Sequence, residues 1–310
     1  MSNKKVSIII PTFNEEEYLP ACLNSILDLN YKKEDMEIIV IDNGSTDRSR
    51  MIAEEHGVKV LRDDSLNISG LRNLGARNAS GDVLAFVDAD CIVGENWLKN
   101  AAIYFEKKNI VAWGAPPLLP EESTWVQKAW YIIRQKEDIV QTVEWLESMN
   151  LFVRKELFLE AGGFNEDLVT CEDVDLCYRL QKYGKIYSDH NIKVIHLGEA
   201  STVREFMKKE IWRGQGNLKG ISSHGFSLKE IPSLSIPLYF GILIPVFLVL
   251  TIITLNKIYL IASTLLYLLP TLAVMFKVRN KQIRIAEFVL LVFLIQIYFL
   301  SRTVAVVIKT

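Results

Sequence analysis

Val-Leu-Ala-Phe-Val-Asp-Ala-Asp, residues 83–90, is the stretch that sets the fold class. An unbroken apolar run with branched residues at both ends suits a strand buried on both faces of a parallel sheet. Asp88 stops the run, so Asp88 and Asp90 fall at a strand's carboxyl end. Two similar runs precede it: Val6–Ile10, stopped by Pro11, and Glu37–Ile41, stopped by Asp42-Asn43-Gly44. Helical periodicity fills Glu16–Leu29, Asp47–His56 and Ile68–Ala79. Strand–helix alternation predicts an α/β fold, a mostly parallel sheet flanked by helices with right-handed crossovers. Ligands bind such sheets beyond the carboxyl ends of the strands. Polar residues gather there: Thr12, Asn14 and Glu15, then Asp42 and Asn43, then Asp88 and Asp90.

The usual signatures of two other chemistries are missing. No GxGxxG follows the first strand, and no GxxxxGK[ST] occurs anywhere. A formal net charge of -2 gives no electrostatic footprint for nucleic acid, and none is expected as a partner. Cys22, Cys91, Cys171 and Cys177 form no CxxC pair and no zinc spacing, so reduced and mostly buried thiols are expected. The first run is too short for the apolar core of a signal peptide, which predicts that the front of the chain stays in the cytosol.

Composition changes near Ile231. Leu234–Leu255 and Ile258–Phe276 carry no formal charge, and each is long enough to cross a hydrocarbon layer about 30 Å thick. A third segment, about 286–308, contains Gln296 and Arg302. An arginine at the centre of a spanning helix costs roughly 2.5–3.5 kcal/mol, so this segment is either spanning, re-entrant or interfacial. Lys277, Arg279, Lys281 and Arg284 crowd the loop before it, whereas the preceding loop has only Lys257. Positive loops stay inside, so the N-terminal part faces the cytosol. The predicted division is a cytosolic domain at 1–225 and a membrane domain at 232–310 with two or three spans. Within the first, the basic stretch 202–220 reads as an amphipathic helix on an anionic membrane surface or as an ordinary solvated helix.

Asp88-Ala89-Asp90 can chelate a hard divalent cation, Mn²⁺ or Mg²⁺, that bridges to a diphosphate. Alone the triplet is weak, because Asp is common in turns. Its surroundings make it specific: PTFNEE (11–16), IDNGSTD (41–47), RNLGARNASGD (72–82), VDAD (87–90), GGFNEDL (162–168) and CEDVDLCYRL (171–180) occur in that order. Over roughly residues 5–200 the chain resembles the family 2 glycosyltransferases, whose catalytic domain has the GT-A fold. The resemblance implies an inverting enzyme that takes a sugar from a nucleotide-diphosphate donor, usually a UDP-sugar.

Position by position, the resemblance assigns Pro11, Thr12 and Glu15 to the border of the nucleotide and Asp42 to the base. It assigns Arg72 and Asp82 to the donor pocket. Asp88 and Ala89 then lie near the ribose and metal, Asp90 is the direct metal ligand, and His196 completes that site or is merely structural. Glu172-Asp173 matches the family's acidic pair, with Asp173 the general base that takes the acceptor's proton. The competing reading has Thr170 and Asp173 capping a helix start. Cys91 stands where an acidic residue is common in the family. Trp212-Arg213-Gly214-Gln215-Gly216 replaces the Gln-x-x-Arg-Trp of processive synthases, which argues against polymer synthesis through a channel. The apolar segments suggest a membrane-associated, lipid-linked or glycan acceptor. A nucleotidyltransferase is the rival enzyme class, but its Gly-rich basic first loop is acidic here; an inactive membrane scaffold is the non-enzymatic rival. Trp113–Met149 carries no motif, and its Trp125, Trp130 and Trp145 suit acceptor stacking or plain packing.

Overall fold

The structure is a computed structural model, and it describes residues 4–135, 139–215, 235 and 239–308. It divides into two compact units: Met1–Pro120 with Lys136–Gly198, and Glu121–Gln135 with Glu199–Thr310. The division therefore precedes the composition break near Ile231, and it gives one early segment to the second unit.

Among the described residues the first unit holds ten strands: β1 (Val6–Thr12), β2 (Met36–Asp42), β3 (Lys59–Arg62), β4 (Val83–Val87), β5 (Cys91–Val93), β6 (Ile110–Gly114), β7 (Gln141–Val143), β8 (Asn150–Arg154), β9 (Lys185–Ser188) and β10 (Val194–His196). Its helices are α1 (Leu19–Leu27), α2 (Ser49–Glu55), α3 (Ile68–Asn78), α4 (Trp97–Ala102), α6 (Lys155–Glu160) and α7 (Glu172–Leu180); α5 (Trp125–Arg134) belongs to the second unit. An eight-stranded sheet runs β3-β2-β1-β4-β8-β6-β9-β7. The β3, β2, β1 and β4 pairings are parallel, and β8 is antiparallel to both β4 and β6. A separate two-stranded ribbon pairs β5 with β10.

Every residue of β1 and β4 is buried, as continuous apolar runs require. Ile8, Ile10 and Val40 pack into one cluster with Leu19 and Leu23 of α1 and Ile52 of α2. Ile9, Ile39 and Ile41 pack into another with Leu71 of α3, Phe158 of α6 and Leu176 of α7. The two-residue strand period thus sorts neighbours onto opposite faces of a three-layer unit. Each such Ile contributes roughly 1.5–3 kcal/mol of burial. Gly75 lets α3 approach closely: a Cβ there would meet Ile9 Cγ2 at 2.6 Å and Ile41 Cδ1 at 2.8 Å.

The register pairs Thr12 with Asp42, and β4 is parallel to β1, so Thr12, Asp42 and Asp88 leave the sheet at one edge. Asp82 does not. It precedes β4, its carboxylate accepts a hydrogen bond from the backbone N–H of Lys5, and six extended residues put it about 20 Å from Asp88. The expectation that Asp82 lines the donor pocket is therefore corrected: strand direction sends it to the opposite edge.

In the second unit, α5 joins α8 (Val203–Gln215), α9 (Ile244–Thr254, entered through a π-helical turn at Tyr239–Leu243), α10 (Lys257–Val278) and α11 (Ile285–Val307). Both α10 and α11 are long and apolar enough to cross a membrane, by length and composition. Of the first expected span, Leu234 and residues 236–238 lie outside the described residues, as do 216–220 of the expected amphipathic stretch. Along α8 the buried residues are Phe206 and Glu210. Trp130 packs edge-on to Phe206, and Trp125 against Phe293, so both serve packing within this unit.

A candidate active site at the carboxyl edge of the sheet

Two loops floor the site, and side chains lace them together. Asn14, in the left-handed region at φ 55°, accepts a hydrogen bond from the Thr46 N–H at 2.8 Å, and its own N–H donates to Ser45 Oγ at 3.0 Å. The Glu15 N–H donates to Ser49 Oγ at 2.7 Å. Left-handed backbone costs a non-glycine residue roughly 1–2 kcal/mol, and Asn is among the residues that tolerate it. Pro11 and Thr12 are buried at the end of β1. Asp42 is 1% exposed; its Oδ1 accepts from the Ser45 N–H at 3.1 Å, and its Oδ2 is buried without a hydrogen-bond partner. Buried polar atoms are nearly always satisfied, so an orphaned oxygen at a sheet edge suits a ligand's donor.

The acidic motifs meet through one cation. Arg72 of α3, 3% exposed, donates from Nη2 to Asp88 Oδ1 and from Nη1 to Glu172 Oε1, both at 2.8 Å. Burial works against its charge, but the carboxylates of Asp88 and Glu172 outweigh burial and raise its pKa. Ala89, between the paired carboxylates, is buried.

Asp90 has a different partner. Its Oδ2 lies 3.0 Å from His196 Nε2. The ribbon makes this contact, because β10 pairs His196 with Cys91, the residue after Asp90, and the Leu197 N–H donates to Asp90 O at 2.8 Å. Gly198 backs the carboxylate so closely that a Cβ there would fall 1.8 Å from Asp90 Oδ2. Adjacent ligands of an octahedral ion with bonds of about 2.1 Å lie about 3.0 Å apart, so this nitrogen and oxygen fit neighbouring positions on Mg²⁺ or Mn²⁺. Among the described residues no three His, Cys, Asp or Glu side chains gather as a metal cage, and Asp88, expected beside them, is held by Arg72. The Cys91 thiol is pushed well up by burial and then by the charges of Asp90 and Asp88, so it stands neutral beside the Asp90 carboxylate.

α7 begins with the acidic pair. Its N-cap, Cys171, has φ 67° and makes no side-chain cap, and Thr170 Oγ1 has no hydrogen-bond partner, so the capping box of the competing reading is not formed. Instead Asp173 Oδ1 accepts from the Val174 N–H at 2.8 Å. Desolvation first, and then the charges of Glu172 and Glu147, raise the Asp173 carboxyl to about 7. Glu172 and Asp173 are thus unequal: one is paired with a cation, and the other is poised near neutral pH.

The structure therefore gathers Thr12, Asp42, Arg72, Asp88, Asp90, Glu172 and His196 at or against one edge. Gly198, Cys171 and the Ser45/Ser49 lacing escaped the sequence reading. The signal for Gly198 was available in the Gly that follows His196-Leu197.

The edge thus brings together an orphaned Asp42 oxygen, the Asp90–His196 pair and an acid of raised pKa. Residues 7–153 match the family model described as Glycosyl transferase family 2, and the domain built on this sheet belongs to that family. A glycosyltransferase of Haloferax volcanii, AglE, is 27% identical over 249 residues, 77% of this chain and 81% of that protein. A Methanococcus voltae enzyme is 26% identical over 70% of this chain and 73% of its own; its name describes transfer of a diacetamido-dideoxyglucuronosyl group to dolichyl N-acetylglucosaminyl phosphate. Among solved structures, the Pyrobaculum calidifontis mannosyltransferase PcManGT with GDP-Man and Mn²⁺ has a TM-score of 0.63 at 15% identity, over 98% of this chain and 87% of that one. Staphylococcus aureus TarS with UDP-GlcNAc has a TM-score of 0.52 at 20% identity, over 74% and 75%. These likenesses establish the GT-A fold.

Proposed function

We propose that this chain is a membrane-anchored, metal-dependent, inverting glycosyltransferase that moves one sugar from a nucleotide-diphosphate donor to a lipid-linked acceptor, with its catalytic domain in the cytosol. The carrying observation is the inequality of the acidic pair at a shared edge: Glu172 neutralised by Arg72, Asp173 raised to about 7. A base poised near the working pH is what proton abstraction requires.

In this reading Asp173 takes the proton of the acceptor hydroxyl as its oxygen attacks the anomeric carbon. The bond from that carbon to the diphosphate breaks on the opposite face, the new glycosidic bond forms with inversion, and the nucleoside diphosphate leaves. Asp90 and His196 would hold a divalent ion, which supplies charge neutralisation to the departing diphosphate. Arg72 keeps Asp88 and Glu172 in place and lends the edge positive charge. Asp42 Oδ2 would accept from the base, which suits a uracil or guanine N–H. Glu172 is a positioning residue here, since its oxygen is engaged by Arg72. The UDP- and GDP-sugars bound by the solved relatives bracket the donor, and the dolichyl-linked substrate in the name of the Methanococcus enzyme, with the apolar helices, favours a lipid-linked acceptor.

The test is thermal stabilisation of the detergent-solubilised chain by a panel of UDP- and GDP-sugars, with Mn²⁺ or with EDTA. A ligand at a hundred times its Kd adds about 2.7 kcal/mol. One donor should raise the melting temperature with Mn²⁺ only, and Asp90→Ala should abolish the rise. No rise with any donor in folded protein would refute the assignment.

A further inference from the structure

Of the two long apolar helices, α10 has its charges, Lys257 and Lys277, at its ends, whereas α11 carries Arg302 well inside its length, and its neighbours are the polar helices of its unit. At 100° per residue, Ile285, Val289, Phe293 and Leu300 fall within about 80° of one another on the helix, and they are 50–85% exposed. The other side, with Leu291, Leu294 and Ile295, is buried, and so is Phe299 at the flank of the exposed arc. Arg302 lies on that buried side, its Nη2 3.0 Å from Glu210 Oε2 of α8, and Gln296 donates to Thr271 Oγ1 at 2.6 Å. Ile285, Val289 and Leu300 thus form an exposed apolar arc, on which Gln296 is taken up by Thr271 of α10 and Thr303 Oγ1 donates back to Phe299 O.

α5 and α8 cover that inner side. Trp130 lies against Tyr298 on that side, with ring centroids 5.3 Å apart, and Trp125 reaches round to Phe293 at the edge of the exposed arc, 6.3 Å away. Further along, a Cβ on Gly214 would meet Ala305 Cβ at 2.6 Å, and Gln215 Nε2 donates to Ile308 O at 3.3 Å. The contacts follow α11 from Phe293 to Ile308, about 22 Å of helix. Yet α8 exposes Arg204, Glu205 and Lys208 on its other face. Were α11 upright in a bilayer, α8 would stand beside it at hydrocarbon depth, where each Lys or Arg costs roughly 2.5–3.5 kcal/mol. The loop Lys277–Arg284 at the start of α11 is strongly basic as well, so both ends of α11 favour the same aqueous side.

We propose that α11 does not cross the membrane: it lies in the plane of the cytosolic leaflet, with Ile285, Val289, Phe293 and Leu300 in contact with lipid and α8 covering it on the water side. This rests on the membrane anchoring proposed above. An apolar face buried about 5–10 Å into the headgroup boundary with charges on the other face is the pattern of an interfacial helix; here two helices share the pattern.

The test is sidedness in native membranes. Single reporters, Asn280→Cys and a cysteine appended after Thr310, are treated with a membrane-impermeant maleimide in inverted and right-side-out vesicles, with the unmodified chain giving the background of its own cysteines. Both reporters should react in inverted vesicles and be silent in right-side-out ones. Reaction from opposite sides would overturn the proposal while leaving the anchoring intact. Alkaline carbonate extraction of the same membranes is run beforehand; release of the chain would refute the anchoring itself.

Discussion

The two compact units each bury an ion cluster, and the clusters are opposites. In the sheet unit, one cation, Arg72, is held between two anions, Asp88 and Glu172. In the helical unit, one anion, Glu210, fully buried, is held between two cations: its Oε1 accepts from Arg213 Nη1 at 2.7 Å, and its Oε2 lies 3.0 Å from Arg302 Nη2. The difference is what lies next to them. The Asp88 side chain remains 27% exposed, and Asp173 sits beside Glu172 with its carboxyl raised by burial despite the charge of Arg72, so the first cluster opens onto chemistry. The second seals two helices together. The same electrostatic element builds a site where an edge is left accessible and a joint where it is not.

The largest expected effect separates Asp173 from that cluster. Asp173→Asn should lower sugar transfer by about 10²–10⁴-fold, the usual worth of a general base, with donor-induced thermal stabilisation retained. Comparable transfer by the variant would remove Asp173 from the reaction. Next comes the sealed cluster. Glu210→Gln removes the buried charge that Arg302 and Arg213 share, although Arg213 keeps Glu199 at 3.9 Å, and breaking a buried pair in this way costs up to about 3–5 kcal/mol. A fall in melting temperature should follow, and most of it should be recovered when Glu210→Leu is combined with Arg302→Leu, because an apolar replacement of the pair is often neutral. If Glu210→Gln alone is harmless, the two clusters are not counterparts.

Gly198→Ala probes the open side more gently. The added Cβ collides with Asp90 Oδ2, and overpacking of this kind costs about 1–3 kcal/mol. The expected signature is loss of the Mn²⁺-dependent donor shift with a smaller loss of stability. A variant that melts lower yet keeps the full shift would show that the Asp90–His196 geometry is unimportant for the ion.

How much of this was legible beforehand follows from sequence distance. β1, β2 and β4 were readable because continuous burial writes itself as unbroken Val, Ile and Phe. β3 was not, since it is four residues long with exposed ends. The motifs placed most acidic residues at one edge, but their partners are tertiary: Arg72 and Glu172 are 100 residues apart, and Asp90 and His196 are 106. Asp82 was misassigned because a motif has no strand direction. The polar residues of α11 looked like flaws in a span until Glu210 and Thr271 supplied their partners.

The smallest effect, and the finest test of the unequal acidic pair, is pH. Asp173 ionises near 7 because burial and the charges of Glu172 and Glu147 oppose its charge more than Arg72 assists it. A base must be ionised to act, so kcat/KM should fall about tenfold for each unit below pH 7 and level off above it. Stability should move the other way. A carboxyl whose folded pKa is raised binds its proton more tightly folded than unfolded, so its contribution is complete below about 4 and is lost as pH rises to about 7. Asp173→Asn cannot ionise and should therefore melt higher than the parent above pH 7, with the difference shrinking as the pH falls. Parallel melting curves for the two proteins across that range would mean that burial does not raise the Asp173 carboxyl, and the contrast between the paired and the poised acid would be gone.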